Sequence, residues 1–197
     1  MIGKNYAVAV IAALGLAGCG SPDQAQENTV PPGEMPGNMM AGNMSGNMAG
    51  ENSAVAMLET AEGAAAGTAT VTEADGALRI SMALLGLPSG PHGVHVHMTG
   101  TCDAPDFTSA GGHWNPADTQ HGLENPQGQH AGDMPNLDVG EDGRGTLEYT
   151  LEGATLDGLL DGDGSALVVH EGPDDQKTDP SGDSGSRIAC GVFRATA

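Results

Sequence analysis

The chain has 197 residues, enough for one domain of ordinary size plus accessory segments. Its 26 acidic residues against 6 basic ones give a formal charge of −20, which argues against nucleic-acid binding, because neutralising phosphates takes clustered Lys and Arg. Aromatics make up 3 % while Gly supplies 32 residues and Pro 12, so turns and short strands are favoured over long helices, and a thin core would need supplementing by metals or a disulfide.

Residues 1–19 read MIGKNYAVAVIAALGLAGC, with Lys4 as the only charge, an apolar run from Tyr6 to Ala17 and small residues before Cys19. That is the layout of a secretory signal, and it is shorter than the roughly 20 apolar residues that span a bilayer. Leu16-Ala17-Gly18-Cys19 resembles a bacterial lipobox. The resemblance implies a signal peptide over residues 1–18, cleaved before Cys19, with lipid attached to the Cys19 sulfur and new amino terminus. Ordinary secretion with a spare thiol is the alternative. Acyl chains would tie the protein to a membrane, so the expected location is the bacterial cell envelope, periplasm or outer membrane, after export.

Residues 19–52 form a candidate tether rich in Met, Gly and Asn, in which three Gly-Asn-Met units end at Met39, Met44 and Met48. Such a segment cannot bury enough apolar surface to fold, and as a flexible chain it would reach on the order of 30 Å. Its five methionines (Met35, Met39, Met40, Met44, Met48) raise the further idea of Cu(I) binding, since thioethers are soft ligands. No His or Cys supports them between residues 21 and 52, and a plain tether is the preferred reading.

A β-rich domain is expected over residues 53–197. Ala64 to Leu85 reads as a hairpin: Thr68, Thr70 and Thr72 alternate with small apolar residues, Asp75-Gly76 makes the turn, and Leu78, Ile80 and Met82 alternate on the return. Gly93–Met98, Thr146–Leu151, Leu167–His170 and Ile188–Phe193 are further short strands, and no stretch shows sustained helical periodicity. Many short strands with Gly-rich turns indicate a sandwich or barrel. Two long segments, about 99–139 and 171–187, are poor in strand formers and are expected to be functional loops.

All seven histidines lie between His92 and His170. His95 and His97 are two apart on a strand and point to one face. His113, His121, His130 and Asp133 occupy the first loop; three imidazoles and a carboxylate satisfy tetrahedral zinc. His170 follows the apolar run Ala166-Leu-Val-Val and arrives from another strand. With Cys19 committed to lipid, Cys102 and Cys190 remain as one pair in an oxidising compartment or as two free thiols. If joined, they would close a long loop worth roughly 4–5 kcal/mol.

Gly93-Val-His-Val-His97, Ser109-Ala-Gly-Gly-His-Trp-Asn-Pro116, His121-Gly, His130-Ala-Gly-Asp133, Leu167-Val-Val-His-Glu171 and Gly185-Ser-Arg-Ile-Ala-Cys-Gly-Val192 resemble, in order, the signatures of the copper/zinc superoxide dismutase family over about residues 54–193. The resemblance implies an all-β, eight-stranded Greek-key barrel or sandwich with two long functional loops. It implies one copper per subunit on His95, His97, His113 and His170, and one zinc on His113, His121, His130 and Asp133. His113 is then shared and must lose both protons. Asp174 matches a carboxylate that orients one copper and one zinc histidine, Arg187 the arginine beside copper, and Cys102 with Cys190 the family disulfide. His92, the seventh histidine, aligns with a structural residue: its loss should spare both metals, whereas loss of His113 should compromise both.

The implied activity converts two superoxide anions and two protons to O2 and H2O2 through a copper redox cycle, with His113 passing a proton and zinc as fixed anchor, in defence of the envelope. An envelope copper/zinc-binding module for buffering or delivery is the alternative. A storage site gains nothing from an anion-binding arginine, and Arg187 therefore favours the enzyme. Members of the family occur as dimers and monomers, which leaves a homodimer open. The charge of −20 should repel superoxide; Arg187 and Lys177 are the local attractors, set in an acid-rich segment with Asp174, Asp175, Asp179 and Asp183. Leu160-Asp-Gly-Asp-Gly164 lacks the third oxygen position and the Glu of a calcium loop and reads as a turn. No nucleophile elbow supports hydrolysis. Cells fed a radioactive fatty acid should label the wild-type chain and not a Cys19→Ala variant, which the label on the purified proteins checks; an unlabelled wild type would remove the lipid anchor.

Overall fold

The structure, a computed structural model, describes residues 52–196. The expectations for the signal segment, Cys19 and the Met-rich tether fall outside the described residues. Strand β1 spans Ser53–Thr60, β2 Ala65–Ala74 and β3 Ala77–Leu84. The turn between β2 and β3 uses left-handed φ at Asp75 and Gly76 (56° and 80°), which suits a two-residue hairpin and matches the sequence expectation. In β3 the buried Leu78, Ile80, Met82 and Leu84 alternate with the exposed Arg79, Ser81 and Ala83. In β2, Ala66, Ala69 and Val71 face inward and the phase slips at Gly67, opposite a register shift between Leu58 and Glu59. Only glycine fits there: φ is 114° and a Cβ would overlap the Ala83 carbonyl.

Next come β4 (Gly90–His92) and β5 (Val94–His97), which flank Gly93 as one interrupted strand. They are followed by β6 (Leu137–Val139), β7 (Gly145–Glu152), one helical turn α1 (Leu156–Leu159) capped by the Thr155 hydroxyl, β8 (Ala166–His170), β9 (Arg187–Val192) and β10 (Arg194–Ala195). The main sheet runs β5-β8-β9-β1-β2-β3-β7, with β10 beside β1. A second pairing, β4 with β6, joins its two edges, because β4 continues into β5 and β6 turns into β7 through the Gly140–Arg144 bend. This is the expected eight-stranded Greek-key barrel. The β3-to-β4 and β7-to-β8 connections each cross over intervening strands.

The core is built from small and aliphatic side chains, among them Ala54, Ala56, Leu58, Val71, Ile80, Val96, Leu137 and Leu167, with Trp114 and Phe193 as its large aromatics. Strands β1, β4, β6 and β10 and the turn α1 carry no clear signal in the sequence. β6 lies inside a segment expected to be loop, and one 3-10 turn (Thr108–Ala110) interrupts the same segment.

Otherwise residues 98–136 and 171–186 are the two long loops expected. The first is pinned to β9 by the disulfide Cys102–Cys190 and to β8 by a satellite cluster of Phe107, Ala110, Ala166 and Val168. The bridge spans 88 residues of sequence. Among the described residues no helix is long and apolar enough to cross a membrane. A Cys190→Ser chain should lose about 2–5 kcal/mol of unfolding free energy, measured by urea titration; a loss below that range would show that the loop is held by packing alone.

Candidate metal centre

The site forms where the first loop folds back along the free edge of β5. Met98 and Val96 bond with Gly112 and Gly132 of the loop, while Trp114 donates to Val96 and accepts from Gly132. This lattice places His113 opposite His97 and Asp133 opposite His95. β5 brings His95 and His97, its neighbour β8 ends on His170, and the loop supplies His113, His121, His130 and Asp133. All seven are buried.

Tautomers follow from the partners outside the cluster, since a carbonyl or carboxylate can only accept. His95 donates from Nε2 to Asp174 Oδ2 (2.7 Å), His97 from Nδ1 to the Gly111 carbonyl (2.9 Å) and His170 from Nδ1 to the Gly185 carbonyl (3.2 Å). The inward lone pairs are therefore His95 Nδ1, His97 Nε2 and His170 Nε2, the last two 3.4 Å apart. His121 donates from Nε2 to Asp174 Oδ1 (3.0 Å), which leaves its Nδ1 facing inward.

On the other side Asp133 Oδ1 is the focus of three imidazoles: Nδ1 of His121 at 3.0 Å, of His113 at 3.1 Å and of His130 at 3.3 Å. Asp133 Oδ2 is held by the amides of Gly122 and His130 (2.9 and 3.0 Å). His113 differs from His95, His97, His121 and His170, whose tautomers outer partners fix. Its Nδ1 faces Asp133, its Nε2 is buried without a hydrogen-bond partner, and no outer group fixes its tautomer. His95 Nδ1 is likewise buried and unpartnered. Unpaired buried nitrogens are costly, and a cation on each side of His113 satisfies them.

Two four-residue groups bring their ligand atoms within 4.8 Å of one another: His95, His97, His113 and His170, and His95, His113, His121 and Asp133. The first is the expected copper set. The second contains His95 where His130 was expected, but His130 Nδ1 shares Asp133 Oδ1 with the other zinc candidates and lies 3.4 Å from His113 Nδ1. His130 therefore stays in the carboxylate-containing set, while His95, whose inward Nδ1 makes no hydrogen bond with Asp133, completes the all-imidazole set with His97, His113 and His170. The donors fit the two metals: an all-nitrogen set suits copper, and three imidazoles with a carboxylate suit zinc.

Burial sets the protonation of this centre. It pushes the pKa of His95 down to about 3 and of His170 down to about 4, and lowers His97 and His113 as well, against opposing hydrogen bonds from Asp174, Gly185, Gly111 and Asp133. These rings are neutral at pH 7, the form that binds metal. Burial works the same way on His121, but its two bonds to Asp133 and Asp174 outweigh it and raise the pKa to about 9. Burial also opposes ionisation of Asp133 and Asp174, yet the histidines around them hold both well below the usual carboxylate range.

Asp174 ties His95 to His121, one ring from each of the two expected ligand sets. Its own support comes from residues that carry no sequence signal. Asn136 grips its backbone from both sides, accepting from the Asp174 amide (2.8 Å) and donating to its carbonyl (2.9 Å). The Gln176 amide donates to Asp174 Oδ1 (2.6 Å), and Gly182, with φ 63°, lies where any Cβ would overlap the carboxylate. Asp179 accepts from the His121 amide at 2.7 Å. His92 sits outside the cluster, its ring between the carbonyls of His170 and Pro88 (2.8 and 2.9 Å), in keeping with a structural role.

A cavity of about 650 Å³ opens onto His97, His113 and His170. Arg187 lines it with Nη1 and Nη2 each donating at 2.6 Å, to the Phe107 and Gly111 carbonyls, so the guanidinium is fixed beside the copper side. Lys177, the other expected attractor, is exposed and paired with Glu124 at 2.6 Å. It does not line the cavity.

Metal-stripped protein should be most stable near pH 6.5. Below it the unfolded chain protonates His95 and His170 while the fold withholds protons from them until about pH 3 and about pH 4 respectively, so stability drops as the pH drops. Above it the contribution of protonated His121 is lost as pH rises from 6.5 through about 9. Calorimetric melting of chelator-treated protein checks this; a midpoint that rises steadily through pH 8 would contradict it.

Residues 65–193 match the family model described as copper/zinc superoxide dismutase (SODC). The Cu-Zn superoxide dismutase of Caulobacter vibrioides is 44 % identical over 149 residues, covering 72 % of this chain and 86 % of that protein. The superoxide dismutase-like protein YojM of Bacillus subtilis is 38 % identical over 194 residues, covering 93 % and 92 %. Among solved structures, the Cu/Zn superoxide dismutase from Brucella abortus aligns with a TM-score of 0.60 at 30 % identity, covering 72 % of this chain and 99 % of that one. On fold, ligand geometry and these likenesses together, the chain belongs to the copper/zinc superoxide dismutase family of copper- and zinc-using oxidoreductases.

Proposed function

We propose that this chain disproportionates superoxide to O2 and H2O2 at the cavity beside Arg187, and that it does so in the bacterial cell envelope, held there by lipid on Cys19. The observation that carries the activity is His113. It is the only imidazole of the six whose two nitrogens both face into the cluster, Nδ1 toward Asp133 and His130 and Nε2, unpartnered, toward the all-histidine side. That is the arrangement of a shared ligand. Copper would be held by His95, His97, His113 and His170 and would supply one-electron redox chemistry, while zinc would be held by His113, His121, His130 and Asp133 and would supply none.

The side chains divide the remaining work. Arg187 keeps its charge at any working pH, and its fixed guanidinium receives the small anion next to His97 and His113. His113 Nε2 is positioned to hold a proton and hand it to the reduced product. Its Nδ1 stays directed at Asp133, so the ring is not lost from the site while Nε2 exchanges its partner. Asp174 and the Gly111 and Gly185 carbonyls keep His95, His97 and His170 in the tautomers that face the metal. Location rests on the lipobox-like residues before Cys19. The full set of six histidines and Asp133 favours catalysis over the buffering module, as does an arginine fixed for an anion.

Superoxide consumption by copper- and zinc-loaded protein should fall about tenfold or more in Arg187→Ala with copper content unchanged, the scale of electrostatic focusing. The rate should change little with added salt, because Lys177 is paired and Asp118, Asp161, Asp163 and Asp179 share the cavity with Arg187. Inactive loaded protein, or an Arg187→Ala rate equal to wild type, would favour the metal-holding module.

A further inference from the structure

Among the described residues three large apolar side chains are markedly exposed: Met57, Leu85 and Met98. Met98 is the one that lines the cavity of the metal centre. It directly follows His97, where β5 ends after four buried residues, and it is 51 % exposed. Its amide donates to the Gly112 carbonyl at 3.0 Å. Its side chain lies along the Gly111–Gly112 backbone, so that a Cβ on Gly111 would come 3.0 Å from its Cγ and 3.7 Å from its Sδ. The carbonyl of that same Gly111 accepts from the His97 ring and from the Arg187 guanidinium. A thioether thus stands on the lip of the cavity, against the backbone that positions a copper ligand.

The charge around it favours a cation over an anion on the way in. Asp118, Asp161, Asp163 and Asp179 line the cavity, and Arg187 is its one cationic side chain. The two metal sets also pose a sorting problem. Copper binds most nitrogen and oxygen sites more tightly than zinc does, so affinity alone would place copper on both sides of His113. Sorting by route avoids this. A thioether is a soft donor that favours Cu(I) and offers little to zinc.

We propose that Met98 is the entry ligand for Cu(I): its sulfur takes the ion at the cavity mouth and passes it, without change of oxidation state, to His97 and His170. The inference rests on the copper reading of the all-histidine set.

The test is Cu(I) transfer from the coloured bicinchoninate complex to zinc-loaded, copper-free full chain under anaerobic conditions. Loss of colour gives the rate. Met98→Leu keeps the apolar packing and Met98→Gln the length, and neither offers a soft donor. Both should slow Cu(I) transfer about fivefold or more, with Cu(II) uptake from its glycine complex and the final copper content unchanged. The N-terminal methionines are present in every chain and cancel in the comparison. Equal Cu(I) rates in wild type and either variant would overturn the proposal. Equal slowing of Cu(II), or a lower final copper content, would also overturn it, by making Met98 a structural contact. Copper uptake and a Cu(II) spectrum that are unchanged from wild type in His170→Ala would instead overturn the copper site itself.

Discussion

Two buried carboxylates organise this molecule. Asp133 and Asp174 have no exposed side-chain surface, and none of the described Lys or Arg residues forms an ion pair with either. A buried carboxylate without compensation costs several kcal/mol. Imidazoles and backbone amides provide that compensation here: three histidines and two amides around Asp133, two histidines and the Gln176 amide around Asp174. The consequence is a division of labour. Asp133 turns an oxygen inward, where a metal can take it, while Asp174 spends both oxygens on ring N–H groups and so dictates which nitrogens His95 and His121 present. One carboxylate is available as a ligand, and the other sets which nitrogens His95 and His121 turn inward.

The barrel exists in service of that arrangement. Its strands place His95, His97, His170 and Arg187; the other site residues arrive on loops that a small, alanine-rich core cannot order by itself. The first loop is therefore tied down four times, by the Cys102–Cys190 bridge, by Phe107 in its satellite cluster, by Arg187 on two loop carbonyls and by the ladder of bonds to β5. Arg187 has a double role in consequence. The bonds that aim its guanidinium at the cavity also hold the segment carrying Gly111, and hence the His97 tautomer.

What the sequence revealed follows the length of the physical signal. The β2–β3 hairpin was legible because Leu78, Ile80 and Met82 alternate cleanly and Asp75-Gly76 is a turn with a mechanism. β1 was not, because its buried residues Ser53, Ala54, Ala56 and Leu58 are mostly small and do not alternate cleanly. β4 and β6 have three residues each, and β4 contains Pro91, so no periodicity can develop. At the centre, His95-Val-His97 predicts a shared face from strand geometry alone. The loop ligands were assignable because the motifs resemble a family, not because their spacing forces them together. Asn136 was invisible: a side chain that bonds another residue's backbone leaves no pattern in either segment. Lys177 shows the reverse error, since a cation counted as an attractor is spent on Glu124.

That pairing sharpens the electrostatic problem of an acidic protein with an anionic substrate. With Lys177 neutralised and four aspartates on the cavity wall, long-range attraction cannot come from the rim. It must come from the interior, where one arginine and the two metal cations act across a short, poorly screened distance. Cations in that position draw an anion only after it has entered, so capture depends on diffusion to the mouth and selection occurs inside. The same wall that gives superoxide no help lowers the cost of bringing a metal cation in. A surface suited to loading and a centre suited to reacting are then built from opposite charges within one cavity, and Arg187 marks the boundary between them.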